Sequence, residues 1–201
     1  MHILLTDVLT CPRCGPDFGL ILLADRMEER RVAAGHLGCP NCRAHYPVRD
    51  RVVDLRIDGS ADSADSADPT DSAVSADFAE STESAGARSG DEIAVRMAAL
   101  MGLAGASGTV LVAGPGAGHA AAVAALVPEL EVIALSEGAH PPVVVGAGER
   151  VSPVRASGAG LPFRGGLRAA ALTGGADDAR LREGLRVLAP GARLVVDPAP
   201  A

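Results

Sequence analysis

Two cysteine pairs, Cys11-Pro12-Arg13-Cys14 and Cys39-Pro40-Asn41-Cys42, constrain what this chain can fold into more than any other feature. They are all the cysteines it has, and 24 residues separate them. Two intervening residues let each pair grip one ion from a tight turn, and four soft thiolates suit the tetrahedral preference of zinc. Two disulfides would be the competing use. The first ten residues, MHILLTDVLT, lack the basic leader, apolar run and small-residue cleavage site of a secretion signal, so reduced thiols are expected. Cys11, Cys14, Cys39 and Cys42 are therefore expected to hold a structural zinc, because a closed shell of four leaves no place for a reacting water. His36 and His45 lie near enough in sequence to ligate, but are expected to be surface loop residues for the same reason.

The rest of the N-terminal stretch carries short apolar runs, Ile3 to Leu5, Leu20 to Leu23 and Val52 to Leu55, which predict short strands. From residue 58 to 91 the sequence turns to Asp, Ser and Ala, with few large apolar side chains to offset the entropy of ordering; a disordered acidic linker is expected. Charge locates the same boundary. Asp58 to Glu92 holds ten acids and one Arg, so it carries -9 of a total of -7, while the segments on either side are each +1. Neither flanking part has the basic face that phosphate binding requires, and nucleic acid is not indicated. The chain has no Lys, which excludes P-loop, Schiff-base and general-base lysine chemistry. No apolar run reaches the roughly 18 residues needed to span a membrane, and a cytoplasmic location is expected.

Beyond the linker the pattern changes. Glu92 to Leu103 predicts a helix ending near Gly102, and Thr109 to Ala113 followed by GPGAG and Ala120 to Val127 predicts strand, glycine turn and helix. Further strands are expected at Glu131 to Leu135, Arg150 to Val154, Ala169 to Thr173 and Arg193 to Val196, with an amphipathic helix over Asp177 to Leu188 between the last two. Alternating strands and helices imply a mostly parallel sheet. Gly114, Gly116 and Gly118 would let the backbone approach a ligand at a helix N-terminus. Parsed as GxGxxA from Gly116 to Ala121, with Glu137 further on, the same turn would also suit a nicotinamide dinucleotide. His119 and His140 are candidate acid-base groups, with a solvated loop or helix-end role as the simpler expectation.

The runs LLTDVLTCPRCG and GHLGCPNCRAHYPVRDRVVDL resemble the small zinc-ribbon proteins that activate partner methyltransferases of tRNA, rRNA and release factors. The likeness covers about residues 3 to 56, and Asp50-Arg51 stands where that family has Asp-Gly. In that family an apolar surface beside the ribbon joins the sheet edge of the methyltransferase. From Arg96 onwards the chain is similar to class I S-adenosylmethionine (SAM) methyltransferases in five blocks: MAALMGLAGASGTVLVAGPGAG, EVIALSE, VSPVRASGAGLPF, RAAALTGG and LREGLRVLAPGARLVVDP. The resemblance implies SAM held at Gly114, Gly116, Gly118 and Glu137. It also shows what is missing. Val112, Ser136, Ser157 and Arg168 fall where those enzymes place acids, Glu137 being next to one of them.

Together these readings predict an α/β chain in three parts: a zinc ribbon over 1-57, a linker over 58-91, and a truncated doubly wound Rossmann-like, class I methyltransferase-like domain over 92-201. The fifth strand is expected as an open edge unless the ribbon or another chain covers it. The expected role is non-catalytic, in assembly or in binding a protein partner or a second copy through that edge. An active SAM-dependent methyltransferase with an atypical pocket is the alternative.

Overall fold

The computed structural model describes residues 1–57, 90–137, 150–158 and 160–197. Residues 58–89 of the expected linker and His140 lie outside the described residues, while Gly90 and Asp91, expected to close the linker, open a helix.

The N-terminal stretch forms β1 (Thr10–Cys11), β2 (Gly15–Gly19), β3 (Ile21–Glu28), β4 (Arg31–Gly38), β5 (His45–Arg49) and β6 (Val52–Asp54). Two of its apolar runs enter strands, but Ile3–Asp7 is a 3-10 turn whose start is capped by His2 accepting from the Leu4 amide. Tight hairpins join β3 to β4 and β5 to β6, with Glu29, Arg30, Asp50 and Arg51 all at positive φ. That left-handed geometry matches the twist of the flanking strands and usually calls for Asn or Gly. The Asp50-Arg51 pair therefore keeps the tight turn with φ of 50° and 68°, without the glycine.

From residue 90 onwards come α1 (Gly90–Met101), β7 (Gly108–Ala113), α2 (Ala120–Leu126), β8 (Leu130–Glu137), β9 (Val151–Ala156), β10 (Leu167–Leu172), α3 (Asp178–Arg186) and β11 (Leu188–Val196). Each predicted element is present. Gly102, at φ 68°, ends α1 where expected. Pro190-Gly191 lies within the last strand. It is an irregularity inside β11, where Leu188 aligns with Leu167 and Arg193 with Ala169, and Gly191 supplies φ 78°.

All strands but β1 and β2 join one sheet, in the order β11-β10-β7-β8-β9-β6-β5-β4-β3. Neighbours from β11 to β6 run parallel and those from β6 to β3 antiparallel. The N-terminal part thus adds to the outer edge of β9, with Val53 beside Val154 and Asp54 beside Arg155. Among the described residues no strand pairs with the outer edge of the fifth strand: β11 ends the sheet at one side and β3 at the other.

Both faces of the inner parallel strands β7, β8, β9 and β10 are buried, as parallel sheets require, while the edge strand β11 is half-exposed. Val110, Val112, Val132, Ala134, Ala169 and Ala171 face α1 and α2 in one cluster. The alternate residues, Leu111, Ala113, Ile133, Leu135, Val154, Ala156, Ala170 and Leu172, share a second cluster with Leu9, Cys11, Leu37, Tyr46, Val53 and Leu55. The N-terminal part and the sheet therefore have a common core, although their sequences read as separate parts. Main-chain bonds reinforce it: the Thr10 amide donates to Pro162 O at 2.9 Å, Arg164 to Val8 O at 2.8 Å and Leu55 to Arg155 O at 2.8 Å. No helix among the described residues is long and apolar enough to cross a membrane.

Candidate metal centre and glycine turn

Cys11 ends β1 and Cys14 sits in the turn before β2, while Cys39 and Cys42 occupy the turn between β4 and β5. The second turn is closed by Cys39 N donating to Ala44 O at 2.9 Å and Arg43 N to Cys39 O at 3.0 Å, with Arg43 at φ 60°. All four thiols are free, and their sulfur atoms lie within 4.8 Å of one another. Cys11 and Cys42 are 3.6 Å apart, Cys14 and Cys39 3.7 Å. A tetrahedron of sulfurs about 2.3 Å from a central ion has edges of about 3.8 Å, so these spacings fit a four-thiolate site. The four cysteines are arranged to bind a metal ion.

Hydrogen bonds prepare the sulfurs for negative charge. The Asn41 side-chain amide donates to Cys14 Sγ at 3.3 Å, and Tyr46 Oη lies 3.3 Å from Cys11 Sγ. Burial pushes the Cys39 thiol up, but the backbone amides of Cys42 and Asn41 and the neighbouring cysteines outweigh it and bring the pKa down to about 7. Burial and the adjacent Cys11 push the Tyr46 phenol well above its usual range, so it stays a proton donor. Neither Tyr46 nor Asn41 was singled out from sequence for this role; Asn41 lies inside the second knuckle and Tyr46 four residues beyond it. His36 and His45 are strand residues rather than loop residues, with their rings 5.4 Å apart.

Residues 2–50 match the family model of the Trm112p-like proteins. None of the curated proteins matches the chain. With the cysteine cluster, the match identifies the N-terminal part as a Trm112-like zinc-binding module within a mixed α/β fold.

The glycine turn presents a different picture. Gly114 follows β7 at φ 81°, and a Cβ there would fall 2.3 Å from Thr173 O. Thr173, just after β10, donates from Oγ1 to Ala113 O at 2.6 Å and accepts the Gly116 amide at 2.7 Å. The Gly116 N–H expected to face a ligand is thus already engaged, and Gly116 itself is buried. Gly118 lies exposed in the 3-10 turn Pro115–His119, as does His119 in part. Glu137 ends β8 and forms an ion pair with Arg180 of α3, whose side chain is only 12% exposed. Arg180 had not been singled out from sequence.

The positions expected to hold acids are also engaged. Val112 is fully buried against the helices. Ser136 Oγ donates to Val154 O at 3.4 Å, and Ser157 Oγ accepts the Ile57 amide at 3.3 Å, where the N-terminal part leaves the sheet. Arg168 is an exposed residue of β10. The LPF segment, Leu161-Pro162-Phe163, is clamped from below by α3: Glu183 accepts the Leu161 amide at 2.9 Å, and Arg186 donates to Phe163 O at 2.8 Å and Leu161 O at 2.7 Å.

Proposed function

We propose that this chain is a non-catalytic, methyltransferase-like assembly protein in which a structural zinc ribbon caps the sheet of its own Rossmann-like domain. The observation that carries the reading is the parallel pairing of β6 with β9 over a shared core. In the resembling activator family, an apolar surface beside the ribbon joins the sheet edge of a separate methyltransferase. Here both partners of such a junction would be parts of one chain. The order of the five C-terminal strands, third-second-first-fourth-fifth, supports a doubly wound reading of that part. In this reading the chain is a ribbon, a linker and a domain, with the first and last joined in cis.

Three engagements support the non-catalytic side of the proposal. Thr173 takes the Gly116 amide, Arg180 takes Glu137, and Ser157 holds the departing ribbon strand. A carboxylate gripping ribose hydroxyls contributes roughly 1.5 to 3 kcal/mol per bond, so the loss of two such groups weakens binding by orders of magnitude. SAM, if held at all by Gly114, Gly116, Gly118 and Glu137, would have to displace these internal contacts. Calorimetric titration of SAM into the purified chain is expected to give a dissociation constant above about 100 μM. A low-micromolar value would establish the alternative, an active methyltransferase with an atypical pocket.

The open edge of β11 is where assembly would proceed, since its outward amides and carbonyls can accept another strand from a protein partner or a second copy. Light scattering that gives a monomer, together with rapid amide exchange along β11 in the presence of candidate partners, would remove that part of the proposal.

A further inference from the structure

We infer that Tyr46 is a positioning residue of the metal centre, whose hydroxyl donates to the Cys11 thiolate and, together with Asn41, sets how tightly the ion is held. The inference rests on the reading of the four cysteines as a metal site. Tyr46 is 3% exposed and Cys11 is fully buried, so the phenol has no water to satisfy it and its oxygen stands 3.3 Å from Cys11 Sγ. A metal-bound thiolate has no proton to give. The direction of the bond is then fixed, with the phenol as donor and the sulfur as acceptor.

Cys39 and Cys42 receive backbone amides from their own turn, Cys42 and Asn41 for the first and Ala44 for the second. Cys11 and Cys14 belong to the other knuckle and receive side chains sent across from this segment: the Tyr46 hydroxyl and the Asn41 amide. Four thiolates around a divalent cation carry a net charge of -2, and the Cys11 corner bears its share inside an apolar cluster with Leu9, Leu37 and Phe163. A donor at that corner spreads the charge and fixes the sulfur lone pairs towards the ion. Outer-shell partners of this kind typically change metal affinity by about 10- to 100-fold.

Tyr46→Phe keeps the ring in the core and removes only the hydroxyl. Zinc affinity of the full chain would be measured by competition with a chromophoric chelator. Cobalt(II) would be substituted in parallel, and its sulfur-to-metal charge-transfer band recorded. The expected result is at least a 10-fold loss of zinc affinity and a shift of that band, with the circular dichroism of the zinc-saturated chain unchanged. A structural role for the ring alone would leave the band where it is. Should Tyr46→Phe fail to fold, Asn41→Ala decides the matter on the exposed side of the site: a threefold or larger loss supports the inference. Affinity within twofold of the parent with an unshifted band overturns it. A parent chain that binds no zinc refutes the metal reading itself, a distinct outcome.

Discussion

Phe163→Ala tests whether ribbon and sheet share one cooperative core. Phe163 is fully buried, bridges to Leu9 of the ribbon, and belongs to the cluster that also contains Tyr46, Val53, Leu135 and Leu172. Truncating a buried Phe costs about 3 to 5 kcal/mol, the upper part applying where the surroundings cannot collapse. Collapse is restricted here, because the main chain around the site is held by Thr10 to Pro162, Arg164 to Val8 and Arg186 to Phe163. A loss of about 4 kcal/mol is therefore expected. At a slope of about 2 kcal/mol per molar urea, the midpoint falls by roughly 2 M. The assay follows two probes in one titration, release of the metal to a chromophoric chelator for the ribbon and far-ultraviolet circular dichroism for the helices. Both transitions should move down together. If metal release keeps its midpoint while the helical signal shifts, the two parts unfold independently and the common core has no energetic meaning.

Thr173→Val keeps the shape of the side chain but removes the acceptor of the Gly116 amide and the donor to Ala113 O; a destabilisation of about 2 kcal/mol by urea titration is expected, and no change would show the turn to be held by packing alone. Arg30→Gly relieves a side chain at φ 92° and should raise stability by about 0.5 to 1 kcal/mol, read as an upward shift in melting temperature. The Arg186 guanidinium and the Leu161 amide hold the Glu183 carboxyl below its ordinary 4.5 despite partial burial. Its contribution is complete above 4.5 and lost as pH falls through the lowered folded value, since the unfolded state binds the proton first. Glu183→Gln should thus be less stable than the parent at neutral pH, with the difference shrinking below pH 4.5; a difference constant with pH would contradict it.

The local chemistry of this chain was legible in its sequence, and the assembly was not. The paired CPxC knuckles announced four converging thiols, and β-branched runs alternating with Ala-rich or amphipathic segments announced the strands and helices of the second part. Strand order is a different matter, because Val53 and Val154 meet across about 100 residues and nothing local records that meeting. The ribbon was expected on the fifth strand as one option, yet it adds to β9. With the ribbon in place, β9 is buried at five of its six positions, whereas β11 is left half-exposed along its length. Small residues on the covered face, Ala113, Ala156 and Ala170, leave room for the ribbon to pack closely. Arg180 escaped notice because an arginine on an amphipathic helix reads as a solvated face until the fold brings it to Glu137.

Amide hydrogen exchange along β6 and β9 tests the capping of the sheet by its own ribbon most directly. In the zinc-loaded chain, the Leu55 amide, which donates to Arg155 O, and the Arg155 amide on the same side of β9 should be protected to the same degree as those of the central strand β7. Chelation should release that protection on β6 and on the outer side of β9 together. Rapid exchange of these amides in the zinc-loaded chain, with β7 still protected, would contradict the claim and leave the ribbon a tethered neighbour of a sheet that ends at β9.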